Sequence, residues 1–220
     1  MTRAALAPVL LAVALGLVPG AGARIADRPR ISFTAADLAA AKAAVVRRTD
    51  LGSSGWTGGA RKPDLSSTMS CPGYEPKQSD LVVTGAAESV FQNTGLAVQS
   101  VAQVLKTRAM VGRDWSRTVV APKAFACLRT MMARSLPSSQ RLVSFTRLPF
   151  PHIARYTAAF RALVEVSAGG RHGQVVADVV VVGRSRTELT LSVEAPAAAK
   201  GSLPAAEVRL AKRMLARVRA

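Results

Sequence analysis

The fold is decided in the second half of the chain, where residues 156–194 are YTAAFRALVEVSAGGRHGQVVADVVVVGRSRTELTLSVE. Apolar and polar residues alternate along this stretch, which is the period of a β-strand with one buried face. Turn segments rich in Gly and Ser at 169–173 and 183–186 separate the strands at hairpin distance. The stretch therefore predicts an antiparallel meander, with Leu189 on its buried face and Glu188 on a face open to solvent.

Two further regions extend this sheet. Residues 140–148 alternate in the same way and add one strand. Residues 81–91 and 96–106 are extended runs separated by Gln-Asn-Thr-Gly at 92–95, a turn sequence that predicts a β-hairpin.

Three segments have the composition or the apolar spacing of helices. Residues 34–48 are rich in Ala and begin with a Thr-x-x-Asp sequence similar to a capping box. Residues 107–134 carry apolar side chains at helical spacing, and Pro122 is expected to kink or restart this helix. Residues 205–218 carry apolar side chains on one side at helical spacing and predict the last helix. We expect an α+β domain over residues 34–220, in which an antiparallel sheet of about five to six strands packs against two or three helices.

Residues 50–77 are rich in Gly, Ser and Pro and predict a long surface loop. Trp56 lies inside this loop. An isolated Trp beside glycines either packs the loop onto the core, which is its commoner role, or offers a ring on which a ligand stacks.

The N-terminus has the three parts of a secretory signal peptide. Arg3 provides the positive charge, residues 6–18 are apolar, and a small-x-small cleavage site ends at Ala23. We expect cleavage near Ala23 and secretion of the mature protein, which begins with a linker at residues 24–33. The alternative is a segment kept as an anchor, but Pro19 interrupts the apolar run before it is long enough to span a membrane.

Cys71 and Cys127 are the two cysteines of the chain. An even number of cysteines in an exported protein is most simply explained by one disulfide. A metal or redox pair is the alternative, but the chain has no C-x-x-C sequence and no His near either cysteine.

The chain is strongly basic, with 30 Lys and Arg against 13 Asp and Glu and a net charge of +17, of which the signal peptide accounts for Arg3 alone. Such a charge attracts polyanions, which outside a bacterial cell include anionic cell-envelope polymer and lipid surfaces. The candidate anion-binding residues are Arg209, Lys212, Arg213 and Arg217 on the last helix, although such a row is also typical of a solvated face. Aromatic residues make up 5% of the chain, so we expect no specific nucleic-acid partner.

The common sequence signatures of acyl transfer, metalloprotease and nucleotide chemistry are absent from the sequence. His152 and His172 are expected in turns or on the surface. The spacing of Asp80, Glu88 and Asp114 gives no reason to expect a carboxylate pair. We therefore expect no catalytic residue, no metal and no cofactor, and an extracellular hydrolase is the less favoured alternative.

The sequences CPGYEP at 71–76 and SDLVVTGAAES at 79–89 are followed by Trp115 and Cys127 in the next helix. Over residues 37–194 the chain resembles a group of uncharacterised exported actinobacterial proteins. More loosely, it is similar to the extracellular sensor domains of mycobacterial serine/threonine kinases. Those domains tend to carry two disulfides around a central cleft, whereas this chain has cysteines for one.

The sequence thus favours an exported, non-catalytic binding module, sensor-like or carrier-like, with a cleft between the helix at 107–134 and the sheet. Trp56, Trp115 and Phe125 are the candidate cleft residues. The expected partner is a small molecule of unknown identity or an anionic cell-envelope polymer. No membrane span is expected in the mature protein.

Overall fold

The strands and helices follow the predicted order, with two additional strands before the hairpin. A computed structural model describes residues 27–52, 54–66, 68–169 and 171–218. The strands in these ranges are β1 (Arg30–Ile31), β2 (Thr57–Arg61), β3 (Val82–Asn93), β4 (Leu96–Leu105), β5 (Gln140–Arg147), β6 (Tyr156–Ala168), β7 (Arg171–Arg184) and β8 (Thr187–Pro196). The α-helices are α1 (Ala35–Ala44), α2 (Arg108–Trp115), α3 (Pro122–Ser135) and α4 (Leu203–Ala216).

The eight strands form one sheet in the order β1-β3-β4-β8-β7-β6-β5, and β2 also pairs with β3. β1 runs parallel to β3, so the sheet is mixed. The prediction of a purely antiparallel sheet of five to six strands with two or three helices is wrong, since the described residues form eight strands and four α-helices. β1 has two residues and β2 contains Gly58 and Gly59, so neither shows the alternation by which strands are recognised.

The predicted hairpin and meander are confirmed. β3 pairs with β4 as a hairpin, and β5 to β8 are joined in sequence by antiparallel pairing. β8 then pairs with β4, where Val193 lies opposite Val98. This long-range pair places β4 and β8 at the centre of the sheet.

Helices cover both faces of the sheet. α1 packs on β3 and β4 and α4 packs on β7 and β8, over one continuous buried cluster that includes Leu191 and Met214. On the opposite face α2 contacts β4, β7 and β8, and α3 contacts β5. The expectation of a face open to solvent is therefore wrong. Alternation shows which residues share a face, but it does not show whether a helix covers that face.

The segment predicted as a linker, residues 24–33, contributes β1, and the Arg30 N–H donates to the carbonyl of Leu81 at 3.0 Å. β2 lies within residues 50–77, which were expected to form a loop. The predicted signal peptide, residues 1–23, lies outside the described residues. None of the helices in the described part of the chain is long and apolar enough to cross a membrane.

Candidate functional site

A cavity of about 400 Å³ lies between the layer of α2 and α3 and the sheet. Leu105 and Val181 belong to its floor on the sheet, while Trp115, Leu128 and Met131 belong to its helical roof. Most of the other lining side chains are also apolar. We call this space the helix–sheet cavity. Its size and lining are typical of sites for small organic ligands.

α2 lies close to the sheet because two glycines leave room for Tyr156. A Cβ atom on Gly112 of α2 would lie 2.9 Å from the Tyr156 hydroxyl, and one on Gly183 of β7 would lie 3.0 Å from the Tyr156 ring. The Trp115 ring packs against Tyr156 with centroids 5.5 Å apart. Tyr156 therefore sets the spacing between α2 and the sheet, and with it the position of Trp115 at the cavity.

A π-helical turn at Ser116–Val120 separates α2 from α3 beside the cavity. Thr118 and Val119 of this turn belong to the lining. Pro122 lies in the first turn of α3, where its missing N–H costs no hydrogen bond, so the predicted restart of the helix is confirmed. Single π-helical turns occur frequently at functional sites.

The loop before β3 is fastened to the roof of the cavity. Cys71 and Cys127 form the predicted disulfide, with Cα atoms 5.6 Å apart, and join this loop to α3. The Tyr74 hydroxyl donates a hydrogen bond to the backbone carbonyl of Arg117 in the π-helical turn. These contacts hold Met69, another lining residue, against the helices.

Two carboxyl groups meet in this mostly apolar cavity. Asp114 near the end of α2 and Glu188 near the start of β8 both line it, and their side chains share a hydrogen bond. Glu188 lies opposite Gln103 of β4, at the centre of the sheet. The Oδ1 atom of Asp114 is buried, and no N–H or hydroxyl group of the described residues donates to it. The pair is therefore a polar site inside a mostly apolar space.

Burial raises the pKa of Asp114, and it raises the pKa of Glu188 well above its usual range. The negative charge of Asp114 adds to the shift at Glu188, because two like charges in a space of low dielectric repel each other. The hydrogen bond with Glu188 and the positive charge of Arg117 act in the opposite direction on the pKa of Asp114. The pair thus keeps a shared proton above the pH at which exposed carboxyls lose theirs.

Arg117 is engaged outside the cavity. Its guanidinium donates hydrogen bonds to both carboxylate oxygens of Asp80, at 2.7 and 3.0 Å, and another to the carbonyl of Lys77. Arg113 lies 3.8 Å from the same carboxylate. The hydrogen bonds from Arg117 hold the pKa of Asp80 below its usual range. Asp80, rather than the acid pair in the cavity, is the carboxylate that these cations neutralise.

The three predicted cleft aromatics lie in different places. Trp115 lines the cavity. Phe125 of α3 stacks on Phe145 with centroids 5.3 Å apart, and because Phe145 lines the cavity, Phe125 supports its wall. Trp56 is buried in the cluster beneath α1 and α4, on the opposite face of the sheet. Trp56 therefore packs its loop onto the core.

The four basic residues predicted on the last helix divide into two pairs. Arg209 and Lys212 are exposed. Arg217 donates hydrogen bonds to both carboxylate oxygens of Asp50, at 3.1 and 2.9 Å, and Arg213 donates to the Asp50 carbonyl at 2.8 Å. The first pair is accessible to an anionic surface, whereas the second pair fastens α4 to the segment after α1.

His152, His172 and Glu88 do not line the cavity. Ser167 contacts His172 at 2.9 Å, and His152 is exposed. Glu88 accepts a hydrogen bond from Gln99 at 3.0 Å. No group of three or more His, Cys, Asp or Glu side chains suited to a metal ion occurs in the ranges that the structure describes.

The sequence does not reveal Glu188 as a site residue and gives no reason to pair Asp114 with another acid. Glu188 alternates with buried leucines, which is typical of a solvated strand. The signal for its burial is topological: β8 becomes a central strand when it pairs with β4. That pairing joins residues far apart in the chain and has no local sequence signature.

No family model and no curated protein matches this chain. Among solved structures, an uncharacterised protein from Mycobacterium smegmatis, the Rv0999 ortholog, is 13% identical with a TM-score of 0.45, over 84% of this chain and 98% of that one. PA94 from Pseudomonas aeruginosa, a protein of unknown function, is 14% identical with a TM-score of 0.28, over 52% of this chain and 70% of that one. The Ran-binding protein Mog1p of Saccharomyces cerevisiae is 16% identical with a TM-score of 0.28, over 60% of this chain and 75% of that one. Likenesses at these identities and TM-scores carry no argument about function.

Proposed function

We propose that this protein is an exported, non-catalytic binding module that holds a small, largely apolar molecule in the helix–sheet cavity. The cavity itself, of about 400 Å³, carries the proposal. A ligand that buries apolar surface against this lining gains binding free energy of roughly 25 cal/mol for each Å² removed from water. The Cys71–Cys127 disulfide holds the loop against the roof, which favours a preformed site.

The contact between Asp114 and Glu188 supports binding rather than glycoside hydrolysis. Their carboxyls share a hydrogen bond, whereas the two acids of glycoside hydrolases lie about 5 to 9.5 Å apart, on either side of the bond that they cleave. A pair in direct contact leaves no room for a sugar between the two carboxyls.

The contacts of His172 also argue against a serine hydrolase. Ser167 and Glu165 approach the same ring nitrogen, Nδ1, at 2.9 and 3.9 Å. A catalytic triad needs the serine on one ring nitrogen and the acid on the other. The three residues form a cluster of polar contacts at the β6–β7 hairpin, in which His172 is exposed and Glu165 and Ser167 are half-buried.

Export is part of the proposal, and it rests on the signal-peptide pattern of residues 1–23. The disulfide supports it, because such bonds persist mainly in oxidising compartments. A sensor-like role, as the resemblance to kinase sensor domains implies, would use the same cavity. N-terminal sequencing of secreted protein should begin at or near Arg24, and a secreted product that retains residues 6–18 would contradict cleavage.

Trp115 provides the test of the cavity. The chain has two Trp residues, so a Trp56→Phe variant reports fluorescence from Trp115 alone. Titration with 1-octanol, a neutral apolar probe, should shift or quench this emission in a saturable way. Val181→Phe places a larger side chain in the cavity and should weaken the response.

Val143→Phe is the matched control, because Val143 is 39% exposed and carries the same substitution outside the cavity lining. It should respond to octanol like the parent protein. A response that stays unchanged in the Val181→Phe variant, or no response of Trp115 to octanol at all, would show that the cavity does not bind apolar molecules.

A second candidate function is binding to anionic cell-envelope polymer or lipid surfaces. The exposed pair Arg209 and Lys212 and the net charge of +17 favour it. Such binding would weaken steeply with added salt, because each phosphate contact releases counterions.

A further inference from the structure

We propose that the ligand of the helix–sheet cavity carries a protonated amine, which binds beside the paired carboxyls of Asp114 and Glu188. This inference rests on the proposed function and names the class of ligand that the cavity takes. Among the described residues that line the cavity, Asp114 and Glu188 are the ones with ionisable side chains.

The hydrogen-bonding needs of the pair match an ammonium group. No N–H or hydroxyl group of the described residues donates to the buried Oδ1 atom of Asp114, and buried polar atoms in proteins are ordinarily hydrogen-bonded. An ammonium group brings three N–H donors and one positive charge. It therefore donates hydrogen bonds to the carboxyl oxygens and neutralises the carboxylate charge in one step.

Ligands of other charge fit the pair less well. A carboxylate ligand places another negative charge beside two acids in a space of low dielectric, where like charges repel strongly. A hydroxyl group donates one hydrogen bond but leaves the carboxylate charge without a counter-charge. A Ca²⁺ or Mg²⁺ ion requires about six or more oxygen ligands, which a mostly apolar lining does not supply.

The protein's own cation does not occupy this position. Arg117 is the positive group that acts on Asp114, yet its guanidinium is held by both oxygens of Asp80. The loop before β3 therefore keeps Arg117 outside the cavity. The place for a cation beside Asp114 and Glu188 remains open to a ligand.

The test compares three ligands with the same eight-carbon chain: octylamine, 1-octanol and octanoate. Each is titrated at neutral pH into the Trp56→Phe variant while Trp115 fluorescence is recorded. We expect octylamine to bind at least tenfold more tightly than octanol, and octanoate to bind most weakly. This comparison needs no change at the acid pair, so it does not depend on the folding of further variants.

Two variants then locate the preference. Glu188→Gln and Asp114→Asn remove the charge while keeping nearly the same shape, and each should reduce the advantage of octylamine over octanol to less than threefold. Glu165→Gln is the matched control, because it removes one carboxylate that pairs with Arg141 at 2.6 Å, outside the cavity lining. It should keep the full preference for the amine.

The outcomes separate the two proposals. Octanol binding with no preference for octylamine, or a preference that survives both acid-pair variants, overturns the amine class and leaves the binding module in place. Tighter binding of octanoate also overturns it. If none of the three ligands changes Trp115 emission, both the ligand class and the proposed function fail.

Discussion

Asp80 binds both terminal nitrogens of Arg117, at 2.7 and 3.0 Å, and so draws this cation away from Asp114. Asp80 lies just before β3, whereas Arg117 lies in the π-helical turn beside the cavity. One ion pair thus fastens the loop to the roof and also sets the charge available inside the cavity.

Replacement of Asp80 by Asn tests both roles. The free energy of unfolding should fall by about 1 kcal/mol or less, because the ion pair is partly exposed. The released Arg117 should then neutralise Asp114 and weaken octylamine binding severalfold, with octanol binding unchanged. Since Arg117 lowers the pKa of Asp80, the stabilisation is present at neutral pH and is lost as the pH falls through that lowered pKa. Urea unfolding at neutral pH and in acid should show a difference in stability between the two proteins that shrinks as the pH falls.

Gly112→Ala tests the spacing between α2 and the sheet. The new Cβ atom would lie 2.9 Å from the Tyr156 hydroxyl, and overpacking of this kind costs about 1 to 3 kcal/mol. The helix propensity of Ala offsets about 1 kcal/mol of that loss. Adding Tyr156→Phe removes the hydroxyl and should restore stability in the Gly112→Ala background. Thermal denaturation of the four combinations measures the coupling, and additive effects would contradict the contact.

Removal of the disulfide by Cys71→Ala and Cys127→Ala should destabilise the protein strongly. The bond closes a loop of 56 residues, for which the chain-entropy model gives roughly 4 kcal/mol. Octanol binding should weaken as well, because Met69 loses its fastening to the roof. Denaturant unfolding and the Trp115 titration measure the two effects. Full octanol affinity in a destabilised variant would show that the loop is not needed for the cavity.

Because of Glu207 in α4, we expect the free energy of unfolding to fall as the pH rises. This side chain is fully buried next to Asp178, and burial, with a further contribution from Asp178, raises the pKa of Glu207 from 4.5 to about 8. The native state holds a proton that the unfolded chain releases, so the free energy of unfolding falls between about pH 4.5 and pH 8, by at most about 1.4 kcal/mol per pH unit. Glu207→Gln should flatten this slope in urea unfolding at pH 5, 7 and 9. A slope equal to that of the wild type would assign the pH dependence to other groups.

The basic residues of α4 should separate into two classes on mutation. Arg209→Gln with Lys212→Gln should leave stability unchanged and reduce retention on anionic vesicles, lowering the salt slope by about one unit for each lost phosphate contact. Arg217→Gln breaks the hydrogen bonds to Asp50 and should cost about 1 to 3 kcal/mol of stability. Unchanged retention of the first variant on vesicles would exclude this surface as an anion-binding site.

The elements with a local signature are predictable from the sequence. β5 to β8 show the two-residue period and are separated by turn residues, and the hairpin of β3 and β4 has Thr94-Gly95 at its turn. The restart at Pro122 follows from the missing N–H of proline. In each case the deciding residues are neighbours in the chain.

The elements that depend on distant pairing are not predictable in this way. β1 exists because Arg30 and Ile31 pair with Val82 and Val83, and two residues are too few to show any period. The acid pair is not predictable from the sequence for the same reason. Asp114 and Glu188 meet through the return of β8 to β4 and the packing of α2 over that pair, neither of which is encoded next to either acid.

The two sides of the sheet differ in how their buried residues are connected. Those beneath α1 and α4 form one continuous cluster, whereas those described on the side of α2 and α3 are divided into separate clusters around the cavity. Local opening, which governs amide hydrogen exchange, is easiest where buried contacts are fewest. We therefore expect local opening to be easier in the α2–α3 layer than in the paired strands β4 and β8, with the Cys71–Cys127 disulfide restraining α3. Amide hydrogens in α2 and α3 should accordingly exchange faster than those in β4 and β8.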